Sequence, residues 1–278
     1  MPKRLPRRVF TRPSRLTVVP LALMLAATLS GCGSGAQDAS PAGTSSDPSA
    51  AEGGGATTLT VFAAASLTGT FTELGRTFEA AHPGTTVRFN FGSSATLAQQ
   101  IVQGAPADVF AAASPATMET VTGASLAANP TTFVRNTLQI AVPADNPAKV
   151  DDLADLADPR TKVALCAVQV PCGAAAARAL DTAGLKVTPV TLEQDVKATL
   201  TKVELGEVDA ALVYRTDVIA SGGKVRGIDF PEAGKAINDY PIATLTKAPA
   251  PDLAGRFVAL VLSPQGRDVL TGAGFDAP

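Results

Sequence analysis

The chain has 278 residues, 46% of them hydrophobic and 17% charged, with a formal net charge of −2 at pH 7. This predicts a globular protein large enough for two modest domains, and the near-neutral charge gives no reason to expect a nucleic-acid partner. With one histidine, His82, and no tryptophan, the chain has almost nothing for a histidine-based metal site or catalytic triad, so we expect no direct metal-cation ligands.

The first 32 residues have the pattern of a bacterial export signal: basic side chains, an apolar run from Leu16 to Leu29, and then small residues. The run is too short for a comfortable membrane-spanning helix, and Pro20 interrupts it. It ends in Leu29-Ser30-Gly31-Cys32, which resembles a bacterial lipobox and implies cleavage before Cys32 and lipidation of its thiol. We therefore expect a lipid anchor on the extracytoplasmic face of the cell membrane. An ordinary signal peptide or an uncleaved anchor is the alternative, and Sec and twin-arginine export both stay open.

Residues 33–57 are rich in Gly, Ser, Ala, Pro and Asp and contain almost no large apolar side chain. Such a segment cannot bury enough surface to offset its ordering entropy, so we predict a flexible tether. Random-coil scaling gives the tether a mean span of roughly 25–30 Å. The rest of the chain would then form a domain held outside the cytoplasm.

From Thr58 onward, short apolar runs alternate with helical periodicity, and a second such series begins at Thr137. The β-α-β-α-β order predicts an α/β fold of two lobes, each a mostly parallel sheet flanked by helices. Lobe 1 would comprise residues 58–136 plus 242–278, and lobe 2 residues 137–241, with the return between them near Tyr240–Pro241. The predicted strands are Leu59–Ala64, Thr86–Phe91, Asp108–Ala112, Thr137–Val142, Val163–Leu165, Ala210–Tyr214 and Ile242–Leu245. The predicted helices are Leu67–Ala81, Ala95–Gln103, one starting at Ser114-Pro115, Gly173–Thr182, Leu192–Leu205, Asp252–Leu262 and a last turn near Gln265–Leu270.

Two cysteines remain once Cys32 is assigned to lipid, namely Cys166 and Cys172. An even pair in an oxidising compartment favours a disulfide, and the six-residue separation can close if the intervening chain turns back. Two free buried thiols are the alternative. A metal site at this pair is disfavoured because further Cys or His ligands are lacking.

The stretch Val61–Leu67 joins a predicted strand to a predicted helix, and Ser66 stands where the N-cap of that helix belongs. A helix start with free N–H groups and a capping hydroxyl is a ready site for an anion. Most serine N-caps only complete a helix, so this stretch alone is a weak signal. The signal gains weight because a similar arrangement recurs.

The recurring arrangements lie at the predicted carboxyl ends of strands, where ligands of open α/β sheets gather. Ser93-Ser94 follows a strand and a glycine, and Pro171-Cys172-Gly173 opens a helix in the second lobe. Asp195-Val196 lies within the next helical stretch, and Tyr214 ends an apolar strand. Their shared property is hydrogen-bond donation by neutral hydroxyl and backbone N–H groups. This property suits a small anion that carries no proton of its own.

The chain resembles the periplasmic molybdate-binding proteins of ABC importers in six segments that together span nearly all of residues 58–278. The segments are Thr60–Thr68 (TVFAAASLT), Phe91–Ala98 (FGSSATLA), Gly104–Phe110 (GAPADVF), Val170–Gly173 (VPCG), Asp195-Val196 and Leu212–Tyr214 (LVY). The resemblance implies a type 2 periplasmic-binding fold whose two lobes close on molybdate or tungstate. It implies hydroxyl and backbone N–H donation by Ser66 and Ser94, backbone N–H donation by Cys172 and Val196, and phenol donation by Tyr214. The family often has a small residue such as Ala where Cys172 stands, so only a backbone contact is carried over.

We expect a binding protein rather than an enzyme, because a serine hydrolase would need a G-x-S-x-G elbow and a better placed histidine. The closer alternative is the same fold binding another oxyanion, such as sulfate or thiosulfate. A ferric complex is disfavoured, since only Tyr214 and Tyr240 could supply phenolates. We expect no cofactor. The expected partners are molybdate or tungstate, an inner-membrane ABC permease, and the membrane through lipid on Cys32, with the protein itself a monomer.

Overall fold

The computed structural model describes residues 57–278, so the predicted signal segment, Cys32 and all but the last residue of the predicted tether lie outside the described chain. The strands are β1 Thr57–Ala64, β2 Thr85–Gly92, β3 Val109–Ala111, β4 Thr131–Asn136, β5 Leu138–Pro143, β6 Val163–Cys166, β7 Thr191–Glu193, β8 Ala210–Tyr214, β9 Val225–Ile228 and β10 Asn238–Thr244. The α-helices are α1 Thr68–Ala81, α2 Ser94–Val102, α3 Pro115–Gly123, α4 Pro171–Ala183, α5 Val196–Glu204, α6 Arg215–Ala220, α7 Pro251–Leu262 and α8 Pro264–Gly272. Short 3-10 helices occupy Ala65–Leu67, Ala154–Ala157 and Pro231–Lys235. Among residues 57–278, no helix combines the length and the apolar character that a membrane crossing requires.

The strands form two five-stranded sheets, one in each lobe, with orders β2-β1-β3-β10-β4 and β7-β6-β8-β5-β9. In the first sheet β1 pairs in parallel with β2 and β3, whereas β10 is antiparallel to β3 and β4. In the second sheet β6 is parallel to β7 and β8, whereas β5 is antiparallel to β8 and β9. The predicted two-lobed α/β fold is confirmed, but the expected mostly parallel sheets are corrected to mixed sheets.

The antiparallel pairings follow from how the chain crosses between the lobes. β4 ends at Asn136 and β5 begins at Leu138, so a single residue separates the two sheets on the outward crossing. β10 makes the return, with Asn238 paired to Asn136. A strand that begins at the crossing runs against neighbours that end there, as Leu138 does against Tyr214 in β5 and β8. The crossing therefore imposes antiparallel neighbours on a fold that otherwise winds in parallel.

The return crossing lies a few residues earlier than predicted. β10 pairs with β3 and β4 of the first sheet along its whole length, so sheet membership places residues 238–241 in lobe 1 rather than lobe 2. The sequence does not predict the first half of this strand, because proline cannot donate a hydrogen bond to a neighbouring strand and is typical of a strand end. The strand accommodates Pro241 with a register shift between Tyr240 and Pro241.

The predicted helix Leu192–Leu205 is also corrected. Thr191–Glu193 is the strand β7, paired in parallel with β6, and the helix begins only at Val196. Asp195 sets this boundary: its backbone is extended, and its carboxylate accepts a hydrogen bond from the Ala198 N–H at 2.9 Å. Such a cap fixes the first turn of a helix. Val196 therefore becomes the first residue of α5 rather than an interior one.

Each lobe has its own apolar core. In lobe 1 the rings of Phe71, Phe78 and Phe257 pack edge to face, with centroid distances of 5.5 and 5.9 Å to Phe257. In lobe 2 the apolar side chains of β5, β6 and β8 are buried in one cluster with those of α4 and α5. These separate cores allow the groove between the lobes to be lined by polar groups without disrupting either core.

Asp108, which is 1% exposed, ties β1 to the start of α7. Its carboxylate accepts the Thr60 N–H at 2.7 Å and the Ala250 N–H at 2.6 Å. Hydrogen bonds to an ionised acceptor are shorter and stronger than neutral ones. This side chain therefore holds together parts of lobe 1 that lie far apart in the sequence.

We predict that Asp108→Asn lowers the free energy of unfolding by about 3 kcal/mol, because one amide donor would face a backbone N–H. Denaturant unfolding of this variant measures the loss. Asp145→Asn at an exposed position is the matched control and should stay within about 0.5 kcal/mol of the parent. Equal stability of the two variants would contradict the assigned role of Asp108.

Candidate functional site

A cavity between the two lobes collects the predicted site residues. It contains about 230 Å³ of space, part of which is open solvent. Lobe 1 contributes Ala64, Ala65, Ser66, Gly92, Ser93, Ser94 and Ala113, and lobe 2 contributes Val170, Pro171, Cys172, Asp195, Val196 and Tyr214. All five predicted binding residues therefore line one cavity.

Three helices begin at this cavity: α2 at Ser94, α4 at Pro171 and α5 at Val196. The first N–H groups of a helix have no intrahelical acceptor, and the helix dipole adds partial positive charge at the same end. In α4 the first such N–H belongs to Cys172, since Pro171 has none. The cavity thus receives backbone donors from both lobes.

Ser66 does not cap the first helix, which corrects the sequence prediction. It lies inside the 3-10 turn Ala65–Leu67, and the N-cap of α1 is Leu67, with no side-chain cap. The buried Ser66 hydroxyl instead lies 2.9 Å from the Tyr240 hydroxyl. Ser66 is therefore held by a partner 174 residues away in the chain rather than by its own helix.

The two serines before α2 have different environments. The Ser94 hydroxyl accepts the Ala113 N–H at 2.9 Å, which leaves its own proton free to donate. Ser93 is the N-cap of α2, yet its side chain makes no capping bond. Its hydroxyl is buried without a hydrogen-bond partner in the described part of the chain. A buried hydroxyl without a partner at a cavity wall is a donor available to a ligand.

Tyr214 ends β8 with its ring 1% exposed. The Asn238 side-chain amide donates to the Tyr214 hydroxyl at 2.6 Å. Burial, and then the neighbouring Tyr240, raises the pKa of Tyr214 well above its ordinary value. The phenol consequently keeps its proton at neutral pH and can serve only as a neutral donor or acceptor.

A disulfide joins Cys166 at the end of β6 to Cys172 in the first turn of α4. Both cysteines are buried. Gly173 packs so closely on the Ala167 carbonyl that a Cβ at this position would overlap it. The bridge and this close approach fix the loop that carries the Cys172 N–H to the cavity.

No cationic side chain lines the cavity among the described residues. Lys197 follows the cavity residue Val196 in the sequence, but its Nζ is paired with Oδ1 of the buried Asp217 at 3.0 Å. Burial raises the pKa of Asp217, and the charge of Lys197 opposes this shift.

The two arginines near the crossing form ion pairs outside the cavity. Arg135 pairs with Asp239 and Arg215 with Asp276, each at 2.7 Å. Within residues 57–278, no group of three His, Cys, Asp or Glu side chains could hold a metal ion.

Sequence reasoning missed the polar groups behind the cavity wall, namely Asn136, Asn238 and the hydroxyl of Tyr240. They lie on β4 and β10 at the crossing, where they contact Ser66 and Tyr214 through hydrogen bonds. The sequence predicts only a return between the lobes near Tyr240–Pro241, which gives no signal for these groups. The sequence singles out the pair Ser93-Ser94, but the unpartnered hydroxyl of Ser93 becomes evident only in the structure.

Residues 59–276 match the family model described as bacterial extracellular solute-binding protein. The molybdate-binding protein ModA of Mycobacterium tuberculosis is 43% identical over 256 residues, which cover 92% of this chain and 95% of that protein. The periplasmic molybdate-binding protein of Azotobacter vinelandii superposes with a TM-score of 0.69 at 23% identity, covering 79% of this chain and 99% of that one. The sulfate-binding protein SubI of M. tuberculosis superposes at 0.67 with 18% identity, covering 80% and 87%. These matches confirm the resemblance drawn from the motifs, and the two superpositions show that the fold alone does not define the anion.

We predict that replacing both bridge cysteines with alanine lowers the free energy of unfolding by about 2 kcal/mol, because a short covalent loop no longer restricts the unfolded chain. Denaturant unfolding of Cys166→Ala/Cys172→Ala measures this loss, and Cys166→Ala alone should lose a similar amount. Thiol titration of the unreduced, unfolded mature protein should find neither of these two thiols reactive. Two reactive thiols would contradict the bridge.

Proposed function

Because the chain belongs to the family of bacterial extracellular solute-binding proteins, we propose that its cleft captures molybdate, and tungstate equally, for delivery to an ABC importer. The observation that carries this proposal is the cavity between the lobes, lined by hydroxyls and helix N-termini and, among the described residues, by no cationic side chain. The 43% identity to a protein named for molybdate binding supports this ligand. The proposed role of this chain is binding and transport rather than catalysis.

In the proposed complex the donors are Ser66, Ser94, Cys172, Val196 and Tyr214. Moving an isolated dianion out of water costs far more free energy than moving a neutral group. Each oxygen of the dianion therefore needs hydrogen-bond donors. Hydroxyls and N–H groups from both lobes can meet this need, and the positive ends of three helices add to it. Ser93 adds a hydroxyl that has no other partner in the described chain.

The donor set also selects among tetrahedral anions. Hydrogen phosphate carries a proton near neutral pH, and a donor that meets this proton leaves it unpaired at a cost of about 1–3 kcal/mol. Sulfate is fully ionised but smaller, so its hydrogen bonds in a cavity sized for molybdate would be long. Molybdate and tungstate are nearly equal in size, so both should bind. Sulfate or thiosulfate remains the alternative ligand class, since a sulfate-binding protein shares the fold.

The proposed setting is the outer face of the cell membrane, with lipid on Cys32 as the anchor and residues 33–57 as the tether. The basic start, the apolar run and the Leu29-Ser30-Gly31-Cys32 motif support this anchor. The protein would act as a monomer whose lobes close on the ion, since donors from both lobes must converge on it. The closed form would then dock on an inner-membrane permease.

Calorimetric titration of the mature protein with molybdate, tungstate, sulfate and phosphate tests the proposed function. We expect tight binding of molybdate and tungstate, with sulfate and phosphate weaker by at least about 100-fold, the equivalent of one or two lost hydrogen bonds to a charged oxygen. A matching rise of the melting temperature with ligand concentration is expected from mass action. Absence of heat with molybdate and tungstate, or preference for sulfate, would refute the assignment.

Variants that remove single donors test the proposed contacts. We predict that Ser94→Ala and Tyr214→Phe each lower molybdate affinity about 10- to 100-fold, because one charge-assisted hydrogen bond is lost. Ser93→Ala should lower affinity as well, by about tenfold. Thr271→Ala, at an exposed hydroxyl on α8, is the control and should bind like the parent. Unchanged affinity in Ser94→Ala and Tyr214→Phe, at parental melting temperature, would exclude these contacts.

A further inference from the structure

We propose that two buried asparagines at the lobe crossing, Asn136 and Asn238, are positioning residues that force hydroxyl groups of the cavity to present their protons to the ligand. Asn136 is 0% exposed and Asn238 is 2% exposed, and they face each other in the register of β4 and β10. Neither lines the cavity, so they act through other side chains. The inference rests on the proposed function only in taking an anion as the ligand.

Arg178 fixes the orientation of the Asn238 amide. The Oδ1 of Asn238 accepts a hydrogen bond from the Arg178 guanidinium at 2.8 Å, and a guanidinium can only donate. The Nδ2 side therefore faces the opposite way, where it donates to the Ala113 carbonyl at 2.8 Å and to the Tyr214 hydroxyl at 2.6 Å. These two short bonds use both amide hydrogens, and the same nitrogen also lies 3.4 Å from the Pro171 carbonyl.

Tyr214 must then accept from Asn238 rather than donate to it. The hydroxyl of Tyr214 has the Tyr240 phenol beside it, and Tyr214 itself lines the cavity. A buried phenol proton without a partner is unfavourable. Because Asn238 occupies the other side of the phenol, the proton can go only to Tyr240 or to a ligand oxygen in the cavity, and a charged oxygen is the stronger acceptor.

Asn136 directs a second chain of hydrogen bonds. Its Oδ1 accepts the Thr137 N–H at 3.1 Å, and a backbone N–H can only donate, so Nδ2 must face Thr216 and Tyr240. It donates to the Thr216 hydroxyl at 2.8 Å and, more weakly, to the Tyr240 hydroxyl at 3.4 Å.

The Tyr240 hydroxyl links Asn136 to Ser66 by hydrogen bonds. This hydroxyl lies 2.9 Å from the Ser66 hydroxyl, and because Tyr240 already accepts from Asn136, its own proton is assigned to Ser66. Ser66 then accepts on that side and keeps its own proton for the cavity it lines. Chains of hydrogen bonds polarise one another, so this relay also strengthens the final donor.

The two relays give the cavity a fixed polarity. Both end in hydroxyls, those of Ser66 and Tyr214, that offer protons to the ligand. Burial raises the pKa of Tyr240 as it does that of Tyr214, so neither phenol loses its proton at neutral pH. Selection against hydrogen phosphate would thus depend on amides that never touch the ion.

Replacing an amide with the isosteric carboxylate reverses this polarity, because a carboxylate accepts where the amide donates. We expect Asn238→Asp to lower molybdate affinity at least about 100-fold by drawing the Tyr214 proton away from the ligand. It should lower phosphate affinity much less, because the freed phenol oxygen can accept the phosphate proton. The molybdate-to-phosphate ratio should therefore fall about tenfold or more. Asn90→Asp, at a half-buried asparagine of β2 bonded to Gln100, is the matched control and should leave both affinities unchanged.

Two further variants separate positioning from a structural role or added charge. In a double-mutant cycle, the effect of Asn238→Asp on the ratio should largely disappear in a Tyr214→Phe background, since the phenol is the proposed intermediary. Tyr240→Phe, which keeps the ring but removes the relay to Ser66, should lower molybdate affinity about five- to tenfold. If Asn238→Asp does not fold, Tyr240→Phe and Asn136→Asp carry the test through the second relay.

Calorimetry with molybdate and phosphate, together with melting curves, gives the readout. Equal losses for both anions in Asn238→Asp, or additive effects in the cycle, would overturn the proposal, as would parental affinity and selectivity in Tyr240→Phe. If the parent binds sulfate instead of molybdate, the proposed function fails, and the same variants titrated with sulfate and phosphate still decide whether the asparagines set proton direction.

Discussion

The structure depends on one constraint. A cavity without cationic side chains among the described residues can hold a dianion only if each oxygen of the ion accepts hydrogen bonds from neutral donors. Burial of charge without such compensation is among the most costly events in a protein interior. Tyr214 and Ser66 are uncharged, and Lys197 is held by Asp217 at 3.0 Å. The proposed selectivity therefore follows from the direction of hydrogen bonds and from cavity size, rather than from net charge.

The fold supplies those donors through its two crossings. Parallel strands in both lobes end at the groove, and the helices that follow begin there, which brings the free N–H groups of Cys172 and Val196 to one point. The strands that cross between the lobes carry Asn136 and Asn238, which hold Tyr240 and Tyr214 by hydrogen bonds. The groups that orient the donors thus lie on the strands about which the lobes would close.

Local patterns in the sequence predicted most strands, the two-lobed α/β class and most helices, although not the short α6. The family resemblance supplied the five residues that line one cavity. The local patterns failed where distant parts of the chain decide the structure. The hydroxyl of Ser66 looked like a helix cap but lies against Tyr240, 174 residues away. The pattern of Leu192–Leu205 predicts a helix, although pairing with β6 makes Thr191–Glu193 a strand. Pro241 suggested a break, whereas β10 absorbs it through a register shift.

The most direct test of a neutral-donor site is a crystal structure of the mature protein with tungstate, located by the anomalous scattering of tungsten. The account predicts one tungsten in the cavity between the lobes, with its oxygens bonded to the hydroxyls of Ser66, Ser94 and Tyr214 and to the N–H groups of Cys172 and Val196. It also predicts that Lys197 stays paired with Asp217. Tungsten bound elsewhere, or an arginine or lysine in contact with its oxygens, would contradict the account.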